Sequence, residues 1–309
     1  MKILIYGTGG VGGYFGVRLA EAGNDVTFIA RGKHLEAIKK NGLQLKSIDG
    51  NYTVFPTQVT ADISSLNSDF DLIIIGVKSW QVLDAAKAIK PILNKNTLVL
   101  PLQNGVDNVD QLLSVLDKKH IIAGLCKIYT KVDDYGVINH FAFPPELMLG
   151  ELNNKKTNRI LAIKSAFETA KFKTVIPDDI LSDIWKKFMF ICTVSGLGGL
   201  TRVSIGAMVK HKETRNLLQK TVEEIYAVAI AKGIKLPKNM VELMITFIES
   251  QPYEATASTQ RDIMEGRPSE LENFNGYIVT QGKKLGVDTP VNSFIYNCLI
   301  PQEEIARGR

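Results

Sequence analysis

Cysteine is scarce in this chain. There are three in 309 residues, Cys126, Cys192 and Cys298, far apart and without C-x-x-C spacing. An odd number so placed makes neither a disulfide framework nor a zinc site, and fits reduced thiols in a cytoplasmic protein. His34, His120, His140 and His211 also lack metal-ligand spacing, and no Ser/His/Asp arrangement can be argued, so no metal is expected. Long apolar runs are missing: the most nearly apolar stretch, 188–200, is too short and too glycine-rich to span a membrane. The start has no signal-peptide pattern, because Met1-Lys2 leads into only four apolar residues before glycine. No internal repeat and no dense lysine–arginine run occur. Neither nucleic acid nor a membrane is therefore expected as partner, and the net charge of +5 suits an anionic small molecule.

What is present is an ordinary globular balance, 45% hydrophobic and 22% charged, with length enough for two domains. Lys2 to Tyr6 reads as a short buried strand. It runs into Gly7-Thr8-Gly9-Gly10-Val11-Gly12 and then a helical stretch to Ala20. The three G-x-G-x-x-G positions are filled, and each glycine has a task. Gly7 turns the chain off the strand, Gly9 admits a pyrophosphate to the backbone, and Gly12 lets the helix pack on the strand. The helix N-terminus offers unpaired N–H groups and partial positive charge to the phosphates. The motif alone is a weak signal; its place between a strand and a helix makes it a dinucleotide site rather than an ordinary glycine-rich turn. Asp25 to Ile29 completes a βαβ unit. An NAD site usually carries Asp or Glu at the end of this strand, for the ribose 2′-hydroxyl. Arg31 stands there instead. A guanidinium can grip a 2′-phosphate, so NADP(H) is expected over NAD(H).

Further on, 34–40 reads as a short helix and 42–55 as a hairpin turning at Asp49-Gly50. Strands follow at 71–77, 97–102 and 172–176, with helices at 80–89, to about 116, and at 154–171; 120–150 looks like strands. This alternation predicts a Rossmann-type α/β domain, a doubly wound and mostly parallel sheet, over 1–176. From Pro177 the pattern is helical: 180–196, 213–232, 237–249, 256–265, 269–285 and 292–300. An all-α domain is expected over 177–309.

Ligands of an open α/β sheet lie outside the carboxyl ends of its strands. Lys78-Ser79 and Gln103-Asn104 fall at two such ends and line one rim with the glycine loop, although Lys78 alone would read as a surface lysine and Asn104-Gly105 as a turn. On the helix from Ile180, Lys187 shares the apolar side of Ile184 and Ile191, while Lys186 falls toward Asp183. Lys187 is either a general acid of lowered pKa or a lysine snorkelling at a helix edge, and the pattern does not choose. Ser269 and Glu272 fit a capping box, which would place Glu270 at the first helical position, where a carboxylate complements the dipole. Ser258 is either a cap or a substrate donor.

These pieces together resemble the ketopantoate reductase (2-dehydropantoate 2-reductase) family over nearly the whole chain. They are GTGGVGG at 7–13, AR at 30–31, VKSWQV at 77–82, LQNGV at 102–106, IWKKF at 184–188, STQRD at 258–262, SELENFNGY at 269–277 and GVDTPVN at 286–292. The resemblance implies a soluble NADPH-dependent reductase of a small 2-oxo acid, with pantoate as product on the route to pantothenate and coenzyme A. It makes Lys187 the general acid and Glu270 the carboxylate supporting the substrate hydroxyl and the lysine. Asn104 and Ser258 would bind cofactor or substrate, Lys78 would line the site, and Arg31 with Gln81 would hold the 2′-phosphate. The family commonly has asparagines four and eight residues beyond the lysine and another near 205–206. Here Ile191 and Ser195 stand on the lysine's own helix face, leaving Ser195 as the polar substrate contact there and opening the choice of 2-oxo acid. A related reductase of another small branched 2-oxo acid and a non-catalytic NADP-binding sensor are the competing readings. A homodimer is left open, because the sequence does not give the oligomeric state.

Overall fold

The structure, a computed structural model, describes residues 1–67 and 69–309. The chain forms two compact units, Met1–Asn104 with Asn108–Ile180 and Gly105–Asp107 with Leu181–Arg309.

The first unit is built on a five-stranded parallel sheet. Its strands are β1 (Lys2–Tyr6), β2 (Asp25–Ile29), β5 (Gln58–Thr60), β6 (Leu72–Ile75) and β7 (Leu98–Pro101), in the order β5-β2-β1-β6-β7. β6 and β7, and β1 beyond Lys2, are apolar runs because both faces of the sheet are covered. Ile3 and Ile5 enter one hydrophobic core, Leu4 and Tyr6 another on the opposite face. Helices α3 (Val82–Ile89) and α4 (Asn108–Leu113) close the second face.

The first face differs from the single sheet that alternation suggests. The hairpin β3 (Leu43–Ser47) and β4 (Tyr52–Val54), the long pair β8 (Ala123–Asp134) and β9 (Val137–Gly150), and β10 (Lys173–Val175) make a second, mixed sheet of order β10-β9-β3-β4, with β8 on β9. Helix α1 (Gly10–Glu21) lies between the two sheets, touching β1 and β2 on one side and β3, β4, β8 and β9 on the other. Every residue from Gly12 to Leu19 is buried, as expected of a helix covered all round. Arg18, fully buried, ends in Glu21 (2.6 Å) and the Gly50 carbonyl (2.7 Å). Helices α2 (Gly32–Asn41) and α5 (Asn158–Phe167) complete the unit. The three-residue β5 escaped sequence reading because it has no apolar run of its own.

The second unit is helical: α6 (Ile180–Thr201), α7 (Ile205–Lys210), α8 (Lys212–Ala231), α9 (Met240–Glu249), α10 (Ser258–Met264), α11 (Tyr277–Leu285) and α12 (Pro290–Ala306). One core, with Trp185, Phe188, Met189, Val222, Ile225, Phe274 and Leu299, joins them. Helix α7 was not expected, because it carries too few turns to show a period. Two expectations are corrected here. The expected helix over 269–285 is not α-helical throughout: it opens as a wide π turn at Glu272–Gly276 and passes without interruption into α11 at Tyr277. Helix α12 does not stop at Ile300 but runs through Pro301, because its last turns carry the buried Glu303, whose contacts outweigh the one hydrogen bond proline forfeits.

A Cβ at Gly12 would lie 2.1 Å from the carbonyl oxygen of Gly7. Gly12→Ala should therefore lower stability by about 1–3 kcal/mol through forced backbone movement. A thermal melt within about a degree of wild type would show that α1 does not need this contact.

Candidate active site

In the first unit, the carboxyl ends of four adjacent parallel strands gather the predicted cofactor residues. The glycine loop leaves β1, Arg31 follows β2, Lys78 and Gln81 follow β6, and Asn104 follows β7. Gly7 has φ +104°, a turn only glycine makes easily. Thr8 fastens the loop to β2: its N–H and its hydroxyl both donate to the Ile29 carbonyl, at 3.2 and 2.8 Å. That hydroxyl is spent on the fold. Gly9 caps α1 with no side-chain partner, and a Cβ there would meet nothing of the protein within 4 Å. Open space over an uncapped helix N-terminus is what a pyrophosphate requires, so the loop fits a dinucleotide. Gly10 and Gly13, by contrast, face β8 and β9 closely, at Thr130 and Ile138, while Val11 is only partly buried.

Arg31, exposed, begins α2 at the end of β2, and among the described residues no carboxylate engages its guanidinium. Gln81 is exposed, and its Oε1 accepts from the Lys78 N–H at 3.3 Å. Since β1 lies between β2 and β6, Arg31 and Gln81 stand on opposite sides of the glycine loop, roughly two strand spacings or about 10 Å apart at the backbone. Lys78 is exposed, with Nζ 5.7 Å from the centre of the Trp80 ring. The Gln103 side chain donates to the Ile75 carbonyl at 2.6 Å, tying the end of β7 to that of β6. Gly105, with φ +110°, makes the turn after Asn104.

In the second unit, Lys187, Ile191 and Ser195 follow one another on one face of α6, four residues apart. Lys186 is the surface lysine, paired with Asp183 at 2.9 Å. Lys187 and Ile191 are half-buried, and Ser195 is 1% exposed. Among the described residues the Ser195 hydroxyl has no hydrogen-bond partner. Leaving such a group unmet in a finished core costs about 1–3 kcal/mol. Gly198, about three turns beyond Lys187 and so on nearly the same meridian, lets α10 approach: a Cβ there would lie 2.5 Å from the Gln260 side chain.

That approach brings the first turn of α10 to the Ser195 end of the face. Ser258 begins α10 and is exposed; Thr259, next to it, is buried and donates to Glu270 Oε2 at 3.4 Å. Glu270 is 5% exposed. Its carbonyl accepts from the Phe274 N–H at 2.9 Å, and Phe274 packs edge-on against Phe188, the residue after Lys187. The capping box expected of Ser269 and Glu272 does not form: Glu272 is exposed, and Ser269 Oγ donates to Glu303 instead. Alpha and π geometry meet at this segment, and π turns recur at functional sites. Thr259 was missed in the sequence because its contact spans eleven residues and leaves no local pattern.

His34, which lacks metal-ligand spacing, stands beside the glycine loop: Nδ1 accepts from the Gly136 N–H at 3.0 Å, and the ring faces the Thr8 backbone. Burial holds its pKa below the ordinary 6.5, opposed by the Thr8 carbonyl. A depressed folded pKa means the unfolded chain takes up this proton first. The contribution to stability is complete above about pH 6.5 and is lost as pH falls through the folded value. Between about pH 7.5 and 5.5 the denaturation midpoint should fall more in wild type than in His34→Gln. Equal falls would remove His34 as a source of acid sensitivity.

Comparison with known proteins places the chain in a family. Residues 3–154 match the family model for ketopantoate reductase PanE/ApbA, and residues 179–303 match that for its C-terminal part. The uncharacterized oxidoreductase YkpB of Bacillus subtilis is 32% identical over 296 residues, covering 96% of this chain and 97% of that one. The 2-dehydropantoate 2-reductase of a Nostoc species is 28% identical, covering all of this chain and 96% of that protein. Among solved structures, a D-mandelate dehydrogenase with NADH and anilino(oxo)acetate has a TM-score of 0.89 at 25% identity, over 99% of this chain and 100% of that one. Among the described residues, no helix is long and apolar enough to cross a membrane.

Proposed function

The chain belongs to the ketopantoate reductase family and is an oxidoreductase of that family, and from this we propose that it reduces 2-dehydropantoate to pantoate with NADPH, in the cytoplasm, as a step toward pantothenate and coenzyme A. The observation that carries the reading is Lys187 on a half-buried helix face, with the buried carboxylate of Glu270 on a segment that packs against the residue beside it.

NADPH, when bound, supplies the hydride. The backbone N–H groups at the start of α1 hold its pyrophosphate, with Gly9 leaving room. Arg31 takes the 2′-phosphate through charge-assisted hydrogen bonds, with Gln81 on the other side of the loop and Lys78 on the rim. Asn104 and Ser258 would bind cofactor or substrate. Lys187 Nζ would give a proton to the oxygen of the ketone being reduced. Glu270 orients that ammonium and the substrate hydroxyl. Its burial strengthens both interactions. The orphaned hydroxyl of Ser195 finds its partner in the substrate.

A second reading keeps the reaction and changes the acid. Ile191 can neither donate nor accept a hydrogen bond, and it lies one turn from Lys187 on the same face, which favours a 2-oxo acid with an apolar branch there. A relative that is a D-mandelate dehydrogenase supports such breadth. NADPH oxidation with ketopantoate beside other branched and aromatic 2-oxo acids separates the two. A ketopantoate preference is expected; its absence would remove that substrate, and tight NADPH binding with no turnover on any acid would favour a sensor.

Lys187→Ala should lower kcat by about 10²- to 10⁴-fold, the usual worth of a general acid. Unchanged turnover would exclude Lys187 from proton transfer. Arg31→Ala should weaken NADPH by roughly tenfold to a hundredfold while sparing NADH, from the loss of a charge-assisted bond of about 1.5–3 kcal/mol. Equal weakening of the two cofactors would refute its 2′-phosphate role.

A further inference from the structure

Glu303, near the end of α12, is 3% exposed, and no step above uses it. Its two oxygens accept from the Ser269 N–H at 3.0 and 3.1 Å; one also accepts from Ser269 Oγ at 2.5 Å and the other from Arg307 Nε at 2.6 Å. Arg307 Nη2 donates in turn to the Ser269 carbonyl at 2.8 Å. One ion pair of α12 thus holds every polar group of Ser269. On the other side of Glu270, the Leu271 N–H donates to Ser269 Oγ at 3.3 Å. The residue enclosed by these contacts is Glu270, whose own carbonyl is taken by Phe274. Stability alone accounts poorly for the pair, since buried ion pairs often exchange for apolar residues at no loss.

We propose that Glu303, braced by Arg307, is a positioning residue that fixes the backbone at Glu270 and so aims its carboxylate. This rests on the reading of Glu270 as a group acting in the reaction. Glu303 never meets substrate; it acts through Ser269.

The test compares Glu303→Gln, Ser269→Ala, Glu270→Gln and the double variant Glu270→Gln/Glu303→Gln, each at a temperature where circular dichroism shows it folded. Glu303→Gln should lower kcat roughly tenfold to a hundredfold, as misplacement of a reacting group does, with NADPH affinity close to wild type. The double variant should lose no more than Glu270→Gln alone, because the two changes remove one function. A silent Glu270→Gln would refute the catalytic reading itself. If Glu270→Gln costs turnover while Glu303→Gln keeps the wild-type kcat, or if the two losses multiply, the positioning role is overturned and the pair is a staple of the fold. Should Glu303→Gln fail to fold, Ser269→Ala decides: it removes the Oγ contacts and keeps the N–H. A several-fold loss of kcat supports the role, and an unchanged kcat overturns it.

Discussion

A Cβ at Gly12 would sit 2.1 Å from the oxygen of Gly7, and one at Gly13 would sit 2.7 Å from the Ile138 side chain. Helix α1 therefore fills a slot with no tolerance on either side, one wall being the parallel sheet and the other the mixed sheet. The rest of the first unit depends on that fit. It fixes the N-terminus of α1 at the rim where β2, β1, β6 and β7 end, and the rim is where a dinucleotide has both N–H groups and room. A helix held less tightly could turn about its axis and carry its free N–H groups away from the loop. The bond from Thr8 to Ile29 opposes the same motion from the loop side.

The second unit is held differently, by a few buried carboxylates in an otherwise apolar core. Glu224 accepts from the N–H groups of Val291 and Asn292 and from the Asn292 side chain, at the start of α12. Carboxylates suit a helix N-terminus. Asn292 then accepts from Asn275, at the end of the π turn. At the far end of α12, Glu303 holds Ser269. The segment from Ser269 to Gly276 is thus tied along α12 at both of its ends, by polar contacts that tolerate little sliding. An apolar contact is indifferent to a shift of an ångström; a hydrogen bond is not. In the second unit, the buried Glu303 and, through Asn292, Glu224 both bear on the stretch that carries Glu270.

The inner strands of the parallel sheet were legible because a strand buried on both faces is an apolar run, the edge strand β5 was not, and the glycine loop was legible because its tasks are local. The family resemblance rested on such local pieces and held. The mixed sheet was not legible: 42–55 and 120–150 read as strands, but which sheet they join is decided by α1, and a sequence period does not say what packs on a helix's far side. Ser269 shows the same limit more sharply. Ser269 followed by Glu272 has the pattern of a capping box, yet Glu303, thirty-four residues on, brings a second carboxylate and takes the hydroxyl. The hydroxyl proton goes to that distant carboxylate while Oγ still accepts from the Leu271 N–H at 3.3 Å, so what is lost is only the reciprocal contact from Glu272. Lys186 and Lys187 went the other way. Asp183, three residues before Lys186, was enough to assign the surface role, and the structure pairs them.

Ile191 and Ser195 differ in how much each can discriminate between substrates. A site built to hydrogen-bond a substrate group rejects an analogue lacking it by a factor of about 10⁴–10⁵, whereas one methylene in an apolar pocket is worth only about 10–200-fold. On the proposed reading Ile191, half-buried, is of the second kind. Ser195, 1% exposed with an unmet hydroxyl, is on that reading of the first. Where a face keeps one polar contact and exchanges its neighbour for an alkyl group, selection falls on the polar one. On the proposed reading, Ser195 therefore decides which oxygen-bearing acids are accepted, and Ile191 sets only the size and apolarity of the branch beside the carbonyl.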